Sequence, residues 1–356
     1  MVSRVEPFHP PSRLIKYGGI VLGLGVVFAA ASFSYQIFVP VGSKNQPTIS
    51  VHIPRGTSAY RMALRLHEAG VVRSPRFVQL LVGFMGTSKH LKAGEYEFSP
   101  SMNLWTIVNL LHEGRVKLYP FLVREGATIR QIAADLEKQG FGRADHFELL
   151  TRRPYLCRRY GVPVPLESLE GYVFPDTYYL SRDMSEFDIL MMMLRNFSEK
   201  FDTGMEARAK VMGMTRHEVI TLASIIEWEA EVDVERAKIS GVFHNRLKKG
   251  QNLQSCATVL YAIGRKKRLF EKDLIIESIY NTYRHPGLPP TPINNPGKDS
   301  IMAALNPATV PYFYFVSQGD RTHFFAVTGK EHNANIKKAK ALRAARKKAK
   351  AAAKPS

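Results

Sequence analysis

Residues 215–229, TRHEVITLASIIEWE, decide how the rest of the chain is read. Thr215 stands three positions ahead of Glu218, the spacing of a capping box, in which hydroxyl and carboxylate each satisfy the other's backbone amide. Val219, Ile220, Leu222, Ile225 and Ile226 follow at helical spacing, so a helix starts at Thr215. It carries two carboxylates, Glu227 and Glu229. Residues two apart on a helix point about 200° away from each other, so helical geometry alone does not place both in one site. Glu229 falls on the apolar face, after Leu222, Ile225 and Ile226, whereas Glu227 falls beside Ala223 and Ser224 on a mixed strip. A carboxyl among apolar groups resists ionisation and keeps a proton to donate near neutral pH. Glu229 is therefore the candidate acid.

Downstream, the helix yields near Asp233 to a second one over 235–249, with Asp233 as its N-cap and Gly250 as its stop. The stretches LQSCATVLY (253–261), YNTY (280–283), PGLPP (286–290) and PINNP (292–296) then bring amides, hydroxyls and aromatic rings, the groups that hydrogen-bond to sugars and stack on them. Upstream stand an aromatic turn, LEGYVFPDTYY (169–179), and a Met-rich helix over 186–201, whose thioethers read as core filler.

Further toward the N-terminus the chain repeats itself at an offset of 70 residues. IPRGTSAYRMALRLHEAG (53–70) aligns with VREGATIRQIAADLEKQG (123–140), each reading strand, glycine turn, amphipathic helix, glycine stop. The first copy continues through a helix from Pro75 to Gly83, a strand over GEYEF (94–98) and a helix from Leu104 to Glu113. Such a small α+β module serves either as scaffolding or as a surface for glycan chains, and the residues leave both open.

Residues 17–41, YGGIVLGLGVVFAAASFSYQIFVPV, carry no charge, and a helix of about 20 residues crosses a bilayer. Arg4, Arg13 and Lys16 precede this run and only Lys44 follows closely, which places the N-terminus in the cytoplasm and the body outside. A cleaved signal peptide has a shorter apolar region, about 7–15 residues. The glycines at 18, 19, 23 and 25 fit a membrane span better than a soluble core helix.

The net charge of +19 invites a nucleic-acid reading, but nine of the cations lie in 337–354, a stretch without acids, and the excess without it is about +10. That Ala- and Lys-rich tail reads as a disordered or loosely helical extension. It is a solvated tail, or one drawn to anionic lipid heads or wall polymers. The extracytoplasmic body argues against nucleic acid as a partner. Cys157 and Cys256 define neither a disulfide framework nor a metal spacing, although one bridge between them is open. His244, His285, His323 and His332 are scattered, so neither a metal set nor a cofactor motif is read.

Taken in order, LASIIEWE (222–229), VFHNRL (242–247), Leu253-Gln254, TVLY (258–261), YNTY (280–283), GLPP (287–290) and YFYFV (312–316), with LEGYVFPDTY (169–178), resemble the endolytic murein transglycosylases of the MltG/YceG type. The resemblance runs from the membrane helix to about residue 335. It implies an α+β fold with a single N-terminal transmembrane helix, a small LysM-like α+β module and a mainly helical catalytic domain with some strands. The corresponding limits are a cytoplasmic N-terminus 1–16, transmembrane helix 17–41, linker 42–50, LysM-like module 51–118, catalytic domain 119–335 and basic disordered tail 336–356.

The implied activity is that of a lyase that cuts between N-acetylmuramic acid and N-acetylglucosamine within nascent strands. It leaves 1,6-anhydromuramic ends and terminates elongation, alongside peptidoglycan synthases as partners. The family's acid/base maps to Glu229. Glu227, Asn245, Gln254, Thr258, Tyr261, Asn281 and Tyr283 are the candidate substrate-binding residues. Where the family commonly has Leu-Gln-Ser/Thr-Asp-Pro-Thr, this chain has Cys256 and Ala257 in place of the Asp and Pro, so any orienting role of that Asp falls to another group. The competing classes are a non-catalytic membrane-tethered peptidoglycan-binding scaffold and a hydrolytic muramidase.

Overall fold

The computed structural model describes residues 12–86, 91–153, 155–158, 168–264 and 269–352. Two compact units divide the chain: residues up to Tyr119 together with Ser181–Asp183, and Pro120–Leu180 together with the residues from Met184 onward.

The first unit opens with α1 (Ser12–Phe38), which is long and apolar enough over Tyr17–Phe38 to cross a membrane. It stops at Phe38 rather than at the expected Val41, because Pro40 lacks the amide that another turn would need. The expected orientation rests partly on Arg4, which lies outside the described residues, and on Arg13 and Lys16, whose side chains do too. After it come β1 (Ile49–Ile53), α2 (Ala59–Glu68), α3 (Pro75–Phe84), β2 (Gly94–Phe98) and α4 (Leu104–Glu113). β1 and β2 are antiparallel, with Ile49 opposite Phe98 and Ile53 opposite Gly94. Their alternating inward residues Val51, Ile53, Tyr96 and Phe98 share one core with Met62, Leu66, Val78, Leu81, Ile107 and Leu111.

The second unit comprises β3 (Tyr119–Leu122, its first residue closing the first unit), α5 (Ile129–Lys138), α6 (Ala144–Thr151), α7 (Tyr155–Arg158), β4 (Thr177–Leu180), α8 (Glu186–Lys200), α9 (Thr203–Val211), α10 (Arg216–Glu229), α11 (Asp233–Lys248), α12 (Cys256–Ile263), α13 (Lys298–Leu305), β5 (Tyr314–Ser317), β6 (His323–Ala326) and α14 (Gly329–Ala352). β3 pairs with β4, and β5 with β6. The fold is thus mixed helix and strand, with the strands confined to two-stranded pairs.

The repeat is structural. Gly56 and Gly126 make the turns at φ 79° and 68°, Ser58 and Thr128 cap α2 and α5, and Gly70 and Gly140 end them at φ 73° and 75°. All four glycines occupy the left-handed region that a side chain disfavours. The capping box at Thr215 forms as expected: the Thr215 amide donates to Glu218 at 2.7 Å, and the Glu218 amide to the Thr215 hydroxyl at 3.2 Å. The following helix begins at Asp233 rather than Glu235, with Val232 as its N-cap and Asp233 inside the first turn.

The basic segment, which composition leaves disordered or loosely helical, is helical as far as Ala352. Ala339 is fully buried, and Arg346 donates to the Gln318 carbonyl at 2.7 Å and pairs with Asp320. A single alanine seat with flanking cations thus fastens a helix that has no apolar stripe.

A buried knot holds the second unit's loops together. Asn295 accepts from the amides of Gly171 (2.9 Å) and Val173 (3.0 Å), and donates to the Ala127 carbonyl and to Glu170, both at 2.9 Å. Glu170 also receives the Ile129 amide at the start of α5 at 3.0 Å. Burial pushes the Glu170 carboxyl up to about 8, against the pull of the Ile129 and Asn295 donors.

A carboxyl raised from an unfolded value of 4.5 to about 8 holds more protons folded than unfolded within that window, so stability falls as pH rises through it. We expect the wild-type unfolding free energy to decline by a few kcal/mol between about pH 5 and pH 8.5 from this group. Glu170→Gln should flatten the decline, as read from denaturant unfolding across pH.

Candidate active site

Helix α10 is buried on every side from Val219 to Ile226, so it has no solvent face to sort its two carboxylates. Their partners sort them. Glu227 accepts from the Gly297 amide at 3.0 Å and faces Arg236 at 3.4 Å; Arg236 also binds Asp233 at 2.8 Å and the Ser300 hydroxyl. Trp228 donates its indole N–H to the Gly126 carbonyl at 2.9 Å. Glu229, the last residue of α10, has no cationic partner of that kind among the described residues.

The Ser255 hydroxyl donates to Glu229 Oε1 at 2.6 Å and accepts from the Ala257 amide at 3.2 Å, capping α12 as it does so. Glu229 keeps part of its surface open while protein surrounds it densely. Burial raises its pKa above the ordinary carboxylate value; the Ser255 hydroxyl, the charge of His323 and the Ala257 amide pull less strongly the other way. Its place at the negative end of α10 also disfavours ionisation.

Glu229 opens into a cleft of about 320 Å³ whose walls include Arg246, Gln254, Cys256, Tyr283, Phe315 and His323. Among the described residues lining it, Glu229 is the one carboxylic acid. One wall is set by α11, which reads the backbone of 303–313 residue by residue. Ser240 donates to the Ala303 carbonyl at 2.7 Å, and His244 Nε2 lies 2.9 Å from the Ala304 carbonyl. Asn245 donates to the carbonyls of Val310 (2.7 Å) and Tyr312 (3.0 Å), and Arg246 to that of Phe313. Gly241 permits this approach, since a Cβ there would strike the Ala308 carbonyl oxygen. Arg246 also gathers the carbonyls of Asn252 (2.9 Å) and Leu253 (3.1 Å) and the Gln254 side chain (3.2 Å). These contacts hold Gln254 in the left-handed region at φ 51°.

Of the residues singled out from sequence, the fold brings Glu229, Gln254 and Tyr283 to one cleft. Glu227 is in the Arg236 pair and Asn245 carries the 310–312 backbone. Thr258 is fully buried between the Ser255 carbonyl and the Thr282 hydroxyl, at 2.9 Å each. Tyr261 packs on Tyr280 with ring centroids 5.0 Å apart. Asn281 is fully buried, donating to the carbonyls of Leu274 (2.9 Å) and Ile276 (3.0 Å). Cys256 and Ala257 open α12 rather than a loop, and the Cys256 sulfur lies 3.1 Å from the Tyr283 hydroxyl. The Cys157 side chain lies outside the described residues. Arg246, Phe315, His323 and His332 complete the cleft and Ser255 bonds Glu229 from the buried side, although none of the five is among the site residues expected from sequence. Ser255 was legible as the residue after Leu253-Gln254; the two histidines, some hundred residues from Glu229, gave no local signal.

The model of the YceG-like family matches residues 51–338. A protein of Bacillus subtilis (strain 168) named endolytic murein transglycosylase is 34% identical over 326 residues, covering 86% of this chain and 89% of the relative. One of the same name from Streptococcus pneumoniae serotype 2 (strain D39) is 28% identical over 360 residues, which is 88% of this chain and 63% of that relative's length. A crystal structure of a yceG-like protein from Listeria monocytogenes superposes with a TM-score of 0.57 at 32% identity, covering 81% of this chain and 98% of that one.

Removing the Ser255 hydroxyl takes away a donor that favours the charged carboxylate, so the Glu229 pKa should rise further in Ser255→Ala. Carbon-13 NMR of labelled glutamate carboxyls across pH reads this directly; an unmoved titration would mean that Ser255 does not govern the acid.

Proposed function

The chain belongs to the YceG-like family, and on that premise we propose that it is an endolytic peptidoglycan lytic transglycosylase with Glu229 as its acid and base. The observation that carries this reading is a lone, densely surrounded carboxyl at the end of α10, with a raised pKa and a hydroxyl partner, opening into a cleft that offers Gln254, Tyr283 and Phe315 to a sugar. The names of the relatives in Bacillus subtilis and Streptococcus pneumoniae support the substrate class.

Hydrolytic glycosidases generally use two carboxyl groups, one of them to activate water or to attack the sugar. A lyase needs neither role. Glu229 protonates the oxygen linking N-acetylmuramic acid to N-acetylglucosamine, the C1–O bond breaks, and the muramic C6 oxygen closes onto C1 to give the 1,6-anhydro end. The C6 proton finishes on the Glu229 carboxylate, which restores the acid without consuming water. Because C6 and C1 belong to one sugar, the closure is intramolecular and draws its speed from orientation. Exclusion of water from the cleft favours it over hydrolysis.

In this account α1 is a single-pass anchor with the N-terminus in the cytoplasm. The module 51–118 is a LysM-like glycan-holding element, and the domain 119–335 does the chemistry outside the membrane. An enzyme so placed ends growing strands beside the synthases that extend them. The structure's mixed helix and strand content and its one apolar N-terminal helix support this layout.

Glu229→Gln keeps size and hydrogen bonding but cannot give up a proton. On purified uncrosslinked glycan it should cut about 10²–10⁴-fold more slowly than wild type, with an unchanged melting transition. Wild-type cleavage by this variant would refute the assignment and favour a binding scaffold or another catalyst. Because the protonated form is the acid, the wild-type rate should fall as pH rises through the Glu229 pKa.

A further inference from the structure

His323, the first residue of β6, pairs across the sheet with Ser317 and lines the same cleft as Glu229. Its Nδ1 lies 2.8 Å from Glu235 Oε2 and its amide donates to Glu235 Oε1 at 3.2 Å, so both carboxylate oxygens grip one residue. The two side chains are 4% and 11% exposed. The imidazole and the Phe315 ring pack nearly perpendicular at a centroid distance of 5.4 Å. With the carboxylate accepting from Nδ1–H, the neutral ring presents an unprotonated Nε2, an acceptor. Among the described residues that nitrogen has no hydrogen-bond partner. Merely tying α11 to β6 would use Nδ1 and the amide and would leave the second ring nitrogen of a cleft-lining residue without a purpose. The imidazole is also near enough for the charge of its protonated form to bear on the Glu229 carboxyl.

We propose that His323 is a second catalytic residue, its Nε2 relaying the proton of the muramic C6 hydroxyl to the Glu229 carboxylate; this rests on the lytic reading above. The sequence balances. Glu229 gives its proton to the glycosidic oxygen and the C1–O bond breaks. As the C6 oxygen bonds to C1, its proton passes to Nε2, forming an imidazolium that the buried Glu235 carboxylate stabilises. The same proton then moves from Nε2 to Glu229. Nothing is oxidised, and water is neither added nor lost.

The test compares rate and product ends on uncrosslinked glycan, by mass spectrometry, for wild type, His323→Gln and Glu235→Gln. Gln at 323 retains polarity but relays no proton. It should slow cleavage about 10²-fold and raise the share of hydrated ends, because water competes once C6 closure is delayed. General damage to the fold would lower both products together and leave their ratio alone. Should His323→Gln lose the wild-type melting transition, Glu235→Gln carries the test: it keeps the imidazole and removes only the charge that steadies its protonated form. A shift of its ends toward hydrated product supports the relay, and a wild-type ratio overturns it. If the wild type itself releases no anhydro ends, the lytic reading fails. If it does and the folded variants match it in rate and ratio, only the relay fails.

Discussion

The ion pair between Arg236 and Glu227 is the interaction on which the cleft's chemistry depends. Two carboxylates lie two residues apart at the end of one helix, and a single guanidinium claims the first. That pair, with the Gly297 amide, compensates Glu227 within the protein, and the Ser300 hydroxyl accepts from the guanidinium. It leaves Glu229 with a neutral hydroxyl as its direct hydrogen-bonding side chain. A carboxyl with donors but no bonded cation has its ionised form favoured too weakly to offset burial, and so its pKa stands above the ordinary carboxylate value. Had Arg236 reached Glu229 instead, the same helix would end in a permanently charged acceptor.

The walls of the cleft follow from a different economy. Helix α11 spends its polar side chains on carbonyl oxygens of 303–313 rather than on solvent: Ser240, His244, Asn245 and Arg246 each take one or more, and Gly241 lets the backbones come close. Buried carbonyls must find donors, and this segment finds them largely in one helix. β5 is thereby set where Phe315 faces the cleft, and its partner β6 brings His323. Arg246 links this wall to the Gln254 turn, so the two sides of the cleft share a residue.

Much of this was legible in the residues because local rules were obeyed. The Thr215 capping box, the strand Gly94–Phe98, the helix Leu104–Glu113 and the glycine-punctuated repeat all form where spacing put them. Periodicity distinguishes Glu229 from Glu227 by an apolar face that α10 does not have, since Val219 to Ile226 are buried all round; the discriminating feature is Arg236, a residue of the next helix. Asn245, Thr258 and Asn281 read as sugar-binding amides and hydroxyls, yet each holds protein backbone or a neighbouring hydroxyl, a use with the same composition and spacing as ligand binding. His323 and His332 were invisible as site residues because β6 and α14 deliver them from far along the chain. The helical half of the tail's reading was legible from composition, whereas the buried Ala339 and the Asp320 partner that seat α14 were not, because its cations carry no apolar pattern.

In the proposed mechanism one carboxylic acid opens the glycosidic bond without an attacking water. Digestion of uncrosslinked glycan in oxygen-18 water tests it most directly. The account predicts new ends that carry no heavy oxygen and are lighter by one water than hydrolysed strands; ends bearing one oxygen-18 at the muramic reducing position would contradict it.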